Sequence, residues 1–128
     1  VAAYKHSPFF DYYADEFHRF FEQKYVFLFD FNLDLCEWVC QQIDMQPRLI
    51  PTDDYVEESE TADDFRERIH PKRDFREADK EFVPKPYYQV FDQKLGFLPN
   101  LSVIDLLFNM GPESLLVLRD SIGSFNEF

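Results

Sequence analysis

Aromatic residues recur every three or four positions near the start of the chain, which is the spacing of one face of an α-helix. This stripe predicts a helix over residues 8–23. Ser7 and Pro8 suit the N-cap and the first turn of that helix. We expect the stripe to face the core of the domain, and its members are Phe9, Tyr13, Phe17, Phe20 and Phe21.

A second apolar stripe predicts a helix over residues 32–44, with Asn32 as its cap. The stripe includes Cys36 and Cys40, which we expect to be buried free thiols. Two cysteines are too few for a disulfide scaffold, and they supply only half of a zinc site. Between the two helices, residues 25–29 are rich in β-branched and aromatic side chains, which predicts either a short strand or a tight, buried connection.

Turn and capping signals divide the last third of the chain. Residues 92–96 predict a turn, and Asn100 or Ser102 then caps a helix in which Asp105 completes a capping box. The Gly-Pro pair at 111–112 ends that helix and begins another. The last helix is expected to direct four aliphatic side chains to the core: Leu115, Leu116, Leu118 and Ile122.

These elements predict a mainly α fold, a compact single domain of about four helices with a few short extended segments. An α+β assembly is the alternative. The chain has 128 residues, the size of one domain, so we treat residues 1–128 as one unit. No run approaches the roughly 18 apolar residues of a membrane-spanning helix, so we expect no membrane insertion.

The charge balance argues against polyanionic partners. The formal net charge is −12, and such a surface repels nucleic acid and anionic membranes alike. Residues 53–64 contain seven acids and no base. We interpret this acidic run as a solvated loop, with a divalent-cation site as the alternative. The sequence contains no complete set of metal ligands, and no pattern in it indicates a particular cofactor.

A basic segment follows the acidic run and supplies the main candidate site. Arginine binds phosphates and carboxylates through a planar pair of donors, and histidine titrates near neutral pH. We therefore expect anion binding by this segment, with His70 as a candidate catalytic acid or base. On charge alone we favour the other interpretation, that its bases pair with the acidic run and fix a long loop. The segment contains Arg66, Arg68, His70, Lys72 and Arg73.

Asn100 and Asp105 form a second polar group, at the start of a predicted helix. A helix N-terminus favours negative charge and can bind an anion. We favour capping of the helix as the explanation for them, and we include both residues among the candidate binding residues.

Five segments, in chain order, resemble motifs of the WbqC-like proteins, a bacterial family found often in Bacteroidetes and often near surface-polysaccharide genes. The longest reads Gly-Phe-Leu-Pro-Asn-Leu-Ser-Val-Ile-Asp-Leu-Leu-Phe-Asn. The segments are residues 5–10, 27–32, 65–72, 86–91 and 96–109.

This resemblance implies a role in surface-polysaccharide (O-antigen) biosynthesis, as a transferase. The basic segment suits an anionic donor such as a nucleotide sugar, and we expect a cytoplasmic location. The resemblance also implies that the chain is the C-terminal part of a longer protein that has a further N-terminal segment. The alternative is a non-catalytic binding or assembly module. Its exposed aromatic side chains would pack against that segment or against another copy in a homo-oligomer.

Overall fold

The computed structural model describes residues 3–57 and 63–123. Within these ranges the chain is mainly helical, as predicted, and contains no β-strand. One isolated antiparallel bridge joins Phe82 to Ile122. The helical elements are α1 (Phe10–Glu22), α2 (Leu28–Gln42), α3 (Phe75–Ala78), α4 (Asp92–Leu95), α5 (Val103–Met110), a 3₁₀ turn (Gly111–Glu113) and α6 (Ser114–Asp120).

The start of α1 is fixed by tertiary contact and not by a side-chain cap. The helix lies within the predicted range, but the N-cap position is Phe9, whose backbone N–H donates to the carbonyl of Phe108 at 2.9 Å. The prediction that Ser7 caps this helix is therefore wrong. The hydroxyl of Ser7 is buried and has no hydrogen-bond partner among the described residues.

Helix α2 begins at Leu28, four residues before the predicted start, so Asn32 lies inside the helix and is not its cap. The connection before it is neither a strand nor buried, since Val26 is 88% exposed. Tyr25 anchors this connection to α2, because its ring packs against Phe31 and its hydroxyl donates to a carboxylate oxygen of Asp34 at 3.1 Å.

The two cysteines do not share a buried face, which corrects the prediction of two buried thiols. Cys36 is exposed and Cys40 is half-buried. The core side of this part of α2 is taken by Trp38 and Val39 instead. Partial burial raises the pKa of the Cys40 thiol, which makes it a weaker nucleophile at neutral pH.

The core forms where the aromatic rings of α1, α2 and α5 meet. The ring of Phe108, 2% exposed, lies 5.3 to 5.6 Å between centroids from the rings of Tyr4, Phe10 and Phe17. Aromatic rings bury about 150–250 Å² each, so a few of them dominate the stability of a small domain. The buried members of this cluster are Tyr13, Trp38, Val39, Ile43, Leu107 and Phe108.

Helix α5 is the central element and contacts α1, α2 and α6. The hydroxyl of Ser102 caps it by accepting the N–H of Ile104 at 3.2 Å. The predicted capping box does not form. The buried carboxylate of Asp105 instead accepts the hydroxyl of Tyr87 at 2.5 Å.

The prediction for the last helix is only partly right. Leu116 and Ile122 are almost half exposed, while Val117 and Ser114 are buried. The buried face lies one residue earlier than predicted, at Ser114, Val117 and Ser121, and both serine hydroxyls there donate to backbone carbonyls. A 3₁₀ turn leads directly into this helix. Gly111 begins this turn with φ of 55°, a left-handed conformation that favours glycine.

We predict that Phe108→Ala lowers the free energy of unfolding by about 3–5 kcal/mol, because truncating a fully buried ring leaves a cavity. The change in stability is measured by urea denaturation. Ile50→Ala is the control, since Ile50 is 67% exposed and its loss is expected to cost about 0.5 kcal/mol or less. Equal effects of the two substitutions would contradict this placement of the core.

Candidate functional site

Several of the predicted site residues line one groove, between the basic segment and the start of α5. The groove has a volume of about 550 Å³, and we call it the Arg68 groove. It brings together residues that are about 30 positions apart in sequence. Its polar lining residues are Arg68, His70, Arg73, Asp79, Asn100 and Ser102.

Arg68 is held in the groove by neutral partners. Its Nε and Nη2 atoms donate to the carbonyl of Ala78 at 3.2 and 3.0 Å, and its guanidinium carbon lies 4.8 Å from the ring centroid of Phe65. A guanidinium has five N–H donors, and these bonds use two of them. Among the described residues Arg68 forms no ion pair, so its charge is available to an anionic ligand.

His70 is exposed in the same groove, with one ring nitrogen already engaged. Its Nδ1 atom accepts the backbone N–H of Lys72 at 3.1 Å. In the neutral ring the proton is therefore on Nε2, which makes Nε2 a donor. This geometry suits hydrogen bonding of the neutral ring to an anion through Nε2, because a proton on Nδ1 would break the hydrogen bond from Lys72.

Arg66 and Lys72 do not line the groove, although the sequence placed both in the candidate site. The guanidinium of Arg66 binds both carboxylate oxygens of Asp64, donates to the carbonyl of Val56 at 2.7 Å and lies over the ring of Tyr55. Arg66 therefore pairs with the acidic run and is not available in the groove. Part of that run, residues 58–62, lies outside the described residues.

Asn100 and Asp105 lie on different sides of the start of α5. Asn100 has a φ of 59° and lines the Arg68 groove. Asp105 is buried and lines a separate cavity of about 180 Å³, together with Tyr4 and Gln89. Burial and the hydrogen bond to Asp105 raise the pKa of Tyr87, so that its hydroxyl stays protonated as a donor. The Asp105 group thus supports the segment before α5 and does not face the Arg68 groove.

A second groove, of about 720 Å³, was missed by the sequence analysis. Arg76 and Lys80 lie in it, four residues apart and just after the basic segment. We call it the Lys80 groove. The signal in the sequence was the alternation of cations with aromatic residues after position 73, and no local pattern showed that Phe97 and Pro99 would lie beside them.

The model of the WbqC-like protein family matches residues 1–70 and 67–117. The chain belongs to the WbqC-like family. The matched ranges contain all the residues of both grooves. No curated protein and no solved structure matches the chain.

Residues 3–57 and 63–123 of this WbqC-like chain contain neither a membrane-spanning helix nor a cluster of metal ligands. No helix in those ranges is both long enough and apolar enough to cross a membrane. The same ranges hold no group of three or more His, Cys, Asp or Glu side chains that could bind a metal ion.

We predict that the carboxyl of Asp64 titrates with a pKa of about 2, against an ordinary value of 3.8, because hydrogen bonds from Arg66 favour its charged form. The anchoring of the basic segment by this pair is therefore complete above pH 3.8 and is lost as the pH falls through 2. NMR titration of the carboxyl carbon measures the value.

In the Arg66→Ala variant the same carboxyl should titrate close to 3.8. An Asp64 pKa that is the same in both proteins would show that the pair does not form in solution. Arg48→Ala removes an exposed arginine elsewhere and serves as the control.

Proposed function

We propose that this WbqC-like protein binds an anionic small molecule in the Arg68 groove. In this proposal the ligand is the donor of a transferase reaction in bacterial surface-polysaccharide biosynthesis. The observation that carries it is the convergence of Arg68, Arg73 and His70 with the residues before α5 in one groove. A cytoplasmic location, where a nucleotide-sugar donor would be met, belongs to the same proposal.

The charge of the groove supports an anionic ligand. The chain as a whole carries a formal charge of −12, whereas the groove has two guanidinium groups and one carboxylate, that of Asp79. This carboxylate accepts the backbone N–H of Glu81 at 3.1 Å and so is partly engaged in a local turn. A concave site of opposite sign to the rest of the surface concentrates anions locally.

The mixture of polar groups favours a nucleotide sugar over a simple phosphate. Arg68 and Arg73 have the donor geometry for a diphosphate. Asp79, Asn100 and Ser102 supply a carboxylate, an amide and a hydroxyl, which are the groups that bind the hydroxyls of a sugar. A ligand with both a diphosphate and several hydroxyls would use the whole lining.

We predict that Arg68→Ala weakens the binding of inorganic pyrophosphate at least tenfold, measured by isothermal titration calorimetry on the full chain. The reason is that a hydrogen bond to a charged group is worth about 1.5–3 kcal/mol, and about 1.4 kcal/mol corresponds to tenfold. Arg48→Ala, which removes an exposed arginine outside the groove, should bind pyrophosphate as the natural sequence does. The proposal fails if pyrophosphate does not bind, or if both variants bind it equally.

A second candidate function is that of an assembly module, which one surface favours. Residues 26–29, at the start of α2, are four consecutive apolar side chains, each more than half exposed. A contiguous apolar surface of this kind is typical of a protein–protein contact. We propose a second copy of this chain as the partner.

For this second candidate we expect a concentration-dependent dimer in sedimentation velocity experiments. Replacing both Phe27 and Phe29 by Glu should convert it to a monomer, because charge on this surface opposes burial. Ile50→Glu, at a 67% exposed side chain elsewhere, is the control and should leave the dimer intact. If the natural sequence is monomeric at all concentrations, the second candidate function is wrong.

A further inference from the structure

The Arg68 groove and the Lys80 groove share a wall made of two aromatic rings. Phe75 and Phe82 line both grooves. Their ring centroids are 5.6 Å apart and their planes are inclined by 63°, an edge-to-face contact. The two grooves are therefore adjacent and separated only by these rings.

The wall is held from both sides, so it does not have to form when a ligand binds. Phe75 begins α3, where the carboxylate of Asp74 caps the helix by accepting the N–H of Arg76 at 2.9 Å. Phe82 lies in the isolated bridge, flanked by a hydrogen bond from the Val83 N–H to the Ser121 carbonyl at 2.7 Å. Preformed sites avoid the cost of ordering side chains on binding.

The Lys80 groove differs in chemistry from its neighbour. Phe82, Phe97 and Pro99 give it apolar and aromatic surface, and its cations are Arg76 and Lys80. The guanidinium carbon of Arg76 lies 4.9 Å from the ring centroid of Phe75. Nucleobases stack on aromatic side chains in a way that tolerates different bases, and nearby cations attract the phosphates next to them.

We propose that the Lys80 groove binds the nucleoside of the nucleotide whose diphosphate lies in the Arg68 groove. This inference rests on the proposed function and extends it, because it makes the site bipartite and names the ligand class as a nucleoside diphosphate or its sugar ester. The base stacks against the Phe75–Phe82 wall and Phe97, and Lys80 donates a hydrogen bond to an oxygen atom of the nucleoside.

The test compares two ligands that share a diphosphate and differ in the nucleoside: inorganic pyrophosphate and UDP. Calorimetry on the full chain should show that UDP binds at least about tenfold more tightly, since stacking of one base contributes about 1–3 kcal/mol. Lys80→Ala and Phe97→Leu, at residues that line the Lys80 groove and not the Arg68 groove, should each remove most of that difference and leave pyrophosphate binding unchanged. Arg68→Ala should weaken both ligands.

Two controls keep the result interpretable. Phe91→Leu changes a half-exposed aromatic outside both grooves and should preserve the preference for UDP. If thermal unfolding shows that Phe97→Leu is not folded, Lys80→Ala decides the test, because Lys80 is exposed.

The two proposals fail in different ways. Equal affinity for UDP and pyrophosphate overturns the bipartite site and leaves anion binding in the Arg68 groove intact. A preference for UDP that persists in the folded variants of the Lys80 groove also overturns it. Failure of pyrophosphate to bind the natural sequence overturns both proposals, whereas failure of UDP alone overturns only the bipartite site.

Discussion

The packing of Phe17 between Trp38 and Phe108 joins the three longest helices of the described chain. Its ring centroid lies 6.0 Å from that of Trp38 on α2 and 5.6 Å from that of Phe108 on α5. Trp38 also donates its indole N–H to Glu16 on α1 at 2.9 Å. Helices α1 and α2 are therefore joined by a hydrogen bond as well as by apolar contacts. This contact fixes α5, and α5 in turn fixes the segment that lies between the two grooves.

Residues 97–102 form part of the lining of both grooves, and buried hydrogen bonds from Gln89 hold this segment in place. The side-chain amide of Gln89 donates to the carbonyl of Leu98 at 2.9 Å and accepts its N–H at 3.0 Å, as a paired strand would. Gln89 also lies 3.4 Å from the Asp105 carboxylate, which receives the Tyr87 hydroxyl. Buried groups that satisfy each other in this way are stable and specify one arrangement. Asp105 therefore supports the candidate site from behind the segment.

Local sequence patterns predicted the helices better than they predicted the contacts between them. The aromatic period located α1, and the Ser102 cap located α5, because both signals are contained in a few consecutive residues. The caps assigned to Ser7 and Asn32 were wrong, because the docking of Phe9 on α5 and of Tyr25 on α2 sets those helix starts. Tertiary contacts of this kind leave no periodic signal in one sequence.

Tertiary contacts that leave no local signal also explain why neighbouring basic residues have different environments. Arg66 and Arg68 are two residues apart, yet Arg66 is paired with the carboxylate of Asp64, whereas Arg68 is held by the carbonyl of Ala78. A carboxylate neutralises a guanidinium, and a carbonyl positions it without removing its charge. The sequence shows both bases beside an acidic run, but only the folded chain shows which of them meets an acid. The charge that remains in the Arg68 groove is thus a consequence of pairing, and it, more than the number of bases, decides where an anion can bind.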